Sequence, residues 1–275
     1  MPGKEPATET TRHRRAAQLL WDHWRRGTKL DALPDDVRPR TRAAGYAIQR
    51  EVQLCSGQGL AGWKLAATSI PGQRHIAVDG PMAGRLLAGR VFPPGTELSL
   101  AGNGMRVAEP EFAFVFGRDL PPRTASWTTP EVLDAVAALH LALEIPDARY
   151  ADFVHAGEAQ LVADNACAHD LVLGPAAPDG WRALDLVSHV VQAEVVGRYR
   201  REGSGAAVLG DPRVALTWLV NELSAIGETA RAGQVVITGT CMASLEVQEG
   251  DQVRADFGSL GSIEVRFARQ ARSGP

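Results

Sequence analysis

The chain reads as an α+β protein, with a small helical unit over residues 1–60 followed by a larger β-rich body over residues 61–275. Apolar residues recur at helical intervals through the first stretch, and beyond Gly62 they gather into short runs rich in Val, Phe and Ile. Turns containing Pro and Gly separate those runs, as between strands.

After a polar tail, in which "RHRR" (Arg12–Arg15) reads as a solvated charged run, "AAQLLWDHW" sets Ala17, Leu20, Trp21 and Trp24 on one helical face. A second such stripe runs through "TRAAGYAIQREVQL", after the Pro-containing turn "LPDDVRPR". From "GWKLA" onward strands are expected, punctuated by "PPGTE", "AGNG" and "LPPR". One helix is expected over "TPEVLDAVAAL", with Thr129 as N-cap and Pro130 in its first turn. Another is expected over "DPRVALTWLVNELSAIG", where Asp211 and Pro212 repeat that arrangement and Gly227 closes it. "QVVITGT", "DQVRADF" and "SIEVRF" read as strands. There is no internal repeat and no low-complexity segment.

With 275 residues, 45% of them apolar, the chain can fill a sizeable core. Its 29 Lys and Arg against 32 Asp and Glu, a net charge of −3, provide no electrostatic footprint for nucleic acid or an acidic membrane surface. Small solutes are the expected partners. Cys55, Cys167 and Cys241 are odd in number and widely spaced, which argues against a disulfide framework or a zinc cluster and fits a reducing cytoplasm. No apolar run approaches the ~20 residues that span a bilayer, and the N-terminus lacks the order of a signal peptide.

The stretch "RVAEPEFAFVFGRDL" places Glu109 and Glu111 in an otherwise apolar run. In a strand they point to one face with Val107, Ala113 and Val115, while Phe112, Phe114 and Phe116 point to the other. At ~6.6 Å apart, two such charges repel by roughly 2.5 kcal/mol at an effective dielectric of about 20. Solvent exposure or a cation must relieve this. An edge strand with a wet face is one reading, and Pro110, which cannot donate to a ladder, is compatible with it. A metal site is the other. A third acid, Glu144 in "HLALEIPDARY", follows an apolar run, and a strand–helix–strand route would bring it beside the pair. Three carboxylates suit a hard cation such as Mg²⁺ or Mn²⁺.

Taken in order, "GWKLAATS", "EPEFAF", "LEIPDARY", "VADNACAHDLVLG", "VALTWLVNEL" and "VVITGTC" resemble the 2-keto-4-pentenoate hydratase group of the fumarylacetoacetate hydrolase superfamily. The resemblance spans about residues 15 to 268. It implies a mixed-β C-terminal fold and a divalent cation, Mg²⁺ or Mn²⁺, held by Glu109, Glu111 and Glu144. A glutamate as third ligand, where hydrolases of the superfamily usually supply aspartate, favours the hydratase and decarboxylase branch. The resemblance also turns Lys64, which by its neighbours Trp63 and Leu65 reads as either a snorkelling surface residue, the favoured reading, or a buried partner for an anion, into a catalytic group facing the substrate carboxylate or relaying a proton. Asp79 matches an acidic catalytic position and otherwise reads as a turn residue before Gly80. Cys167 stands where the family often has serine, and Thr240 falls in the family's Gly-Thr loop; both are expected at the substrate. Asp164 and Asn165 are expected to brace a loop, and His75 is assigned no role. "GSGAAVLG" lacks the spacing and context of a phosphate loop.

The activity this implies is addition of water to a 2-hydroxy-2,4-dienoate, through its 2-oxo tautomer, to give a 4-hydroxy-2-oxo acid, as in meta-cleavage aromatic degradation. The partner is a small 2-oxo acid, and the expected assembly is a homo-oligomer, with association with a related decarboxylase or aldolase also in view. Decarboxylation of a 2-oxo-3-enedioate is the alternative, and a non-catalytic partner subunit is a second.

Overall fold

The computed structural model describes residues 8–269. It opens with helices α1 (Glu9–Arg26) and α2 (Arg42–Ser56), followed by β1 (Leu60–Ala66), the short α3 (Ile70–His75), β2 (Met82–Leu87), β3 (Val91–Phe92) and β4 (Glu97–Leu98). Then come β5 (Val107–Phe116), α4 (Thr129–Asp134), β6 (Val136–Ile145), α5 (Glu158–Ala163), β7 (Asp170–Ala176), β8 (Val190–Val195) and β9 (Tyr199–Ser204). The chain finishes with α6 (Pro212–Ala225), β10 (Val235–Thr240), β11 (Leu245–Glu246), β12 (Gln252–Asp256) and β13 (Ser262–Phe267).

Helix α1 begins where the Thr8 hydroxyl accepts from the Thr11 N–H and ends at left-handed Gly27. Arg12, His13, Arg14 and Arg15, expected in a tail, are therefore helical. They stay on the polar side, where Arg14 pairs with Glu51 and Arg15 with Asp36. The opposite stripe, including Leu20, Trp21 and Trp24, packs with Ile48 and Val52 of α2 and with Leu87, Tyr150 and Ala163 of the body. Thus the helical unit and the sheet structure share one apolar cluster.

The larger sheet runs β2-β1-β10-β5-β6-β7-β3, with β11 attached to β5; the smaller runs β4-β13-β12-β8-β9. Phe112, Phe114 and Phe116 project from β5 into the main core together with Val253, Phe257, Val265 and Phe267 from the small-sheet region. Phe112 meets Phe257 edge-on at 5.4 Å. Ala113 and Val115 lie in a separate cluster with Leu86, Ala142 and Ile237, so the alternation expected along β5 holds.

Two expectations are corrected. The helix over "TPEVLDAVAAL" stops at Asp134, capped by Thr128 rather than Thr129, with Glu131 accepting a hydrogen bond from the Thr128 N–H. Val136 onward is strand, because pairing of Leu139 with Phe114 and of Leu141 with Phe112 buries more apolar surface than a longer exposed helix would. Nor is β5 an edge strand. It lies between β10 and β6, and Pro110 sits at the break between β10 and β11, where its carbonyl accepts from the Cys241 N–H at 3.0 Å. The missing N–H thus falls where the ladder is interrupted.

Candidate active site

Four neighbouring strands, β1, β10, β5 and β6, assemble the site. The β5–β6 pairing is antiparallel and sets Glu109 directly opposite Glu144, so both side chains share a face with Glu111, two residues along. The route to Glu144 is therefore an antiparallel return rather than a helix packed back over a strand–helix–strand unit. One ligand atom from each of Glu109, Glu111 and Glu144 lies within 4.8 Å of the others. Glu144 is fully buried and Glu111 is 1% exposed.

Neutral surroundings would not hold three carboxylates so close. Glu109 Oε1 accepts from the Ser244 hydroxyl at 2.5 Å, and Glu111 Oε2 accepts from the Gly239 N–H at 2.5 Å. Gly239 has φ +108°, and a Cβ there would stand 2.0 Å from Thr68 Oγ1, so only glycine can turn this N–H onto the carboxylate. Glu111 Oε1 and Glu144 Oε2 remain buried without a hydrogen bond, and Glu144 Oε1 meets only the Lys64 ammonium. Burial, followed by the charges of Glu144 and Glu109, pushes the Glu111 carboxyl well above the usual range. Glu144 is raised to about 7, by burial first and against the opposing pull of Lys64. Orphaned hard-oxygen donors that resist ionisation alone are the donor set a divalent cation satisfies.

Lys64, 3% exposed, is a buried residue and not a surface one. Its Nζ lies 3.1 Å from Glu144 Oε1 and donates to the Ala166 carbonyl at 3.0 Å. Burial alone would lower its pKa, but Glu144 and Glu109 hold it above the ordinary value, so it is an ammonium. The carbonyl it meets belongs to a strained turn in which Asn165, Ala166 and Cys167 all have left-handed φ (60°, 49° and 62°). Asn165 pins that turn to β2, accepting from the Arg85 N–H and donating to the Arg85 carbonyl, each at 2.7 Å. The approach is open because Gly84 has no Cβ; one there would lie 2.3 Å from the Asn165 carbonyl. Asp164, fully buried, pairs with Arg149 and accepts from its N–H at 2.8 Å.

Lys64, Glu109, Glu111, Gly239 and Ser244 line a cavity of about 1230 Å³, with Cys167, Thr240 and His75 also in its wall, while Glu144 lies behind the wall against Lys64. The Thr240 hydroxyl is directed to the Met242 carbonyl at 2.9 Å. Burial, then Asp164, pushes the Cys167 thiol up to about 12, which keeps it neutral. Asp79 is exposed on the loop after α3 and is not part of this wall, so the structure does not bring the expected acid to Lys64. Nothing in the sequence marks Ser244 or the Gly239 N–H as partners of the carboxylates. Ser244 reaches Glu109 from 135 residues away, and no local pattern marks it.

Residues 87–268 match the family described as fumarylacetoacetate (FAA) hydrolase C-terminal. The chain is 32% identical over 262 residues to a 2-keto-4-pentenoate hydratase of Paraburkholderia xenovorans (strain LB400), covering 94% of this chain and 96% of that one. It is 28% identical over 267 residues to a 2-oxo-hept-4-ene-1,7-dioate hydratase of Escherichia coli, covering 93% and 97%. Among solved structures, 4-oxalocrotonate decarboxylase from Pseudomonas putida G7, complexed with magnesium and adipate, is similar with a TM-score of 0.81 at 26% identity, covering 92% of this chain and 98% of that one.

Proposed function

Because the chain belongs to the fumarylacetoacetate hydrolase family, we propose that it is a divalent-metal-dependent hydro-lyase adding water to a 2-hydroxy-2,4-dienoate to give a 4-hydroxy-2-oxo acid. The observation that carries this reading is the cluster of Glu109, Glu111 and Glu144 beside Lys64 at a cavity wall, two of its three carboxylates buried, in a chain similar to hydratases along nearly its whole length. Glu109, Glu111 and Glu144 would hold Mg²⁺ or Mn²⁺. Such a cation, when bound, supplies Lewis acidity toward the carboxylate and 2-oxygen of the substrate, drawing electrons from the conjugated chain.

The remaining work falls to the chain's own groups. Ketonisation moves the 2-hydroxyl proton to C5, leaving a conjugated 2-oxo-3-enoate; water then adds its oxygen at C4 and a proton at C3. Lys64 has three N–H donors, of which one meets Ala166 and one faces Glu144, so the third serves the substrate carboxylate or the proton transfer. Cys167, neutral, and Thr240 flank the substrate and position it. Asp79 has no place among the reacting groups in this reading, since it is exposed and outside the cavity wall.

Decarboxylation of a 2-oxo-3-enedioate is the second reading, favoured by the likeness to 4-oxalocrotonate decarboxylase. The two separate in one experiment. Protein with Mg²⁺ or Mn²⁺ is given 2-hydroxypenta-2,4-dienoate and, separately, 2-oxohex-3-enedioate, with and without chelator. Chelator-sensitive loss of diene absorbance with a hydroxylated product is expected; CO₂ release without water addition would replace the reading, and inactivity on both would support a non-catalytic subunit. A homo-oligomer, alone or with a related decarboxylase or aldolase, belongs to the same proposal and is read by light scattering. Among the described residues, no helix is long and apolar enough to cross a membrane.

A further inference from the structure

The cavity wall beyond the carboxylates is apolar, with Ile70, Ile76, Met105, Phe153, Leu209 and Met242 supplying most of its bulk. Among the described residues that line it, Lys64 and His75 are the only side chains able to carry positive charge. Lys64 is committed to Glu144, to the Ala166 carbonyl and, in the reading above, to the reacting end of the substrate, which leaves it no donor for a second carboxylate. His75 is exposed, its ring set edge-on to Phe153 at 6.3 Å. Of the four hydroxyls in the wall, Ser244 is engaged on Glu109, Thr240 on the Met242 carbonyl and Ser69 by the Gly72 N–H, and Thr68 is 6% exposed and packed against Gly239; none adds a positive charge. At about 1230 Å³ the cavity also exceeds what a five-carbon acid fills.

We propose that the substrate is a monocarboxylic 2-hydroxy-2,4-dienoate bearing a hydrocarbon substituent beyond C5, and that this wall selects against a second carboxylate. The inference rests on the hydratase reading above and names its substrate class. A hydrocarbon tail gains by leaving water for this wall, including Ile70, which is 58% exposed. A terminal carboxylate in the same place would shed its hydration shell without finding a buried cation, which is the costly case for a charge.

Binding and turnover test this separately. The Mn²⁺-loaded protein is titrated with 2-oxooctanoate and with 2-oxoheptanedioate, which cannot be hydrated, and kcat/KM is measured for the corresponding 2-hydroxy-2,4-dienoates. We expect the monoacid to bind at least tenfold more tightly, about 1.4 kcal/mol, and to be preferred in kcat/KM by a similar factor. Met105→Arg should narrow or reverse that ratio by tenfold or more, and Ile70→Lys, at an exposed position, is the second variant if the first does not fold. Equal or tighter binding of the dioate, or no binding of either acid, overturns the inference. Binding in the expected order without hydration of any dienoate leaves the tail preference standing and removes the hydratase reading instead.

Discussion

Glu109, Glu111 and Glu144 are held together by a few short hydrogen bonds and one ammonium, a balance that single substitutions should expose. Glu109→Gln and Glu144→Gln are expected to cut metal-dependent kcat at least a hundredfold, about 2.7 kcal/mol, with an unchanged circular dichroism spectrum, because neither opens a cavity. Near-normal kcat in both would remove the triad from the mechanism. Lys64→Met should lower kcat/KM roughly tenfold to a thousandfold, ~1.4–4 kcal/mol. Since Lys64 competes for Glu144 at 3.1 Å, Mn²⁺ should bind this variant no more weakly than wild type. A large loss of Mn²⁺ affinity would mean that Lys64 organises the metal site.

The same residues predict a pH dependence. Burial raises the Glu144 carboxyl from its ordinary 4.5 to about 7, and Glu111 is shifted the same way. The metal-free fold therefore holds protons that the unfolded chain releases above pH 4.5, so its stability falls as pH rises from about 4.5 to about 7. Denaturant titrations in chelator should show this fall, and Mn²⁺ should flatten it. Stability rising across that window in chelator would contradict the burial of these carboxylates.

At the scale of elements, the left-handed turn Asn165–Ala166–Cys167 carries the carbonyl that orients Lys64. Asn165→Ala removes both hydrogen bonds to Arg85 and puts alanine in a conformation that asparagine tolerates better. A loss of about 2–4 kcal/mol is expected in urea titrations. If the turn positions Lys64, kcat should fall by more than KM changes, whereas a bracing role alone would leave kcat of the folded fraction intact. Asn165→Asp, which keeps the acceptor for the Arg85 N–H, should recover part of the stability.

For the whole molecule, the two helices and the β-body are joined by the cluster around Trp24, Leu87 and Tyr150 and by backbone bonds from Leu30 to Arg149 and Ala151. Arg42 adds a tie, pairing with Glu158 and Glu222 and donating to the Pro81 carbonyl. We propose that the division near residue 60 marks a change of structure type without independent folding. Calorimetry should then record one cooperative transition, and a separate low-temperature transition would make the helices a domain of their own.

The sequence by itself determined the amphipathic helices, the alternation along β5 and the identity of the three acids, because each follows from side-chain period or residue type within a few positions. It also left visible conflicts: Pro110 in an apolar strand, and charges where a core was expected. Tertiary structure alone decided how they are resolved. The residues after Asp134 become β6 instead of helix because β5 offers a partner, and that pairing places Glu144 opposite Glu109. Lys64 is buried because Glu144 and the Ala166 carbonyl replace its water, while Asp79, exposed on the loop between two lining residues, Ile76 and Met82, is not itself in the wall. Such outcomes depend on contacts between segments up to 135 residues apart, as from Glu109 to Ser244, and local periodicity carries no information about them.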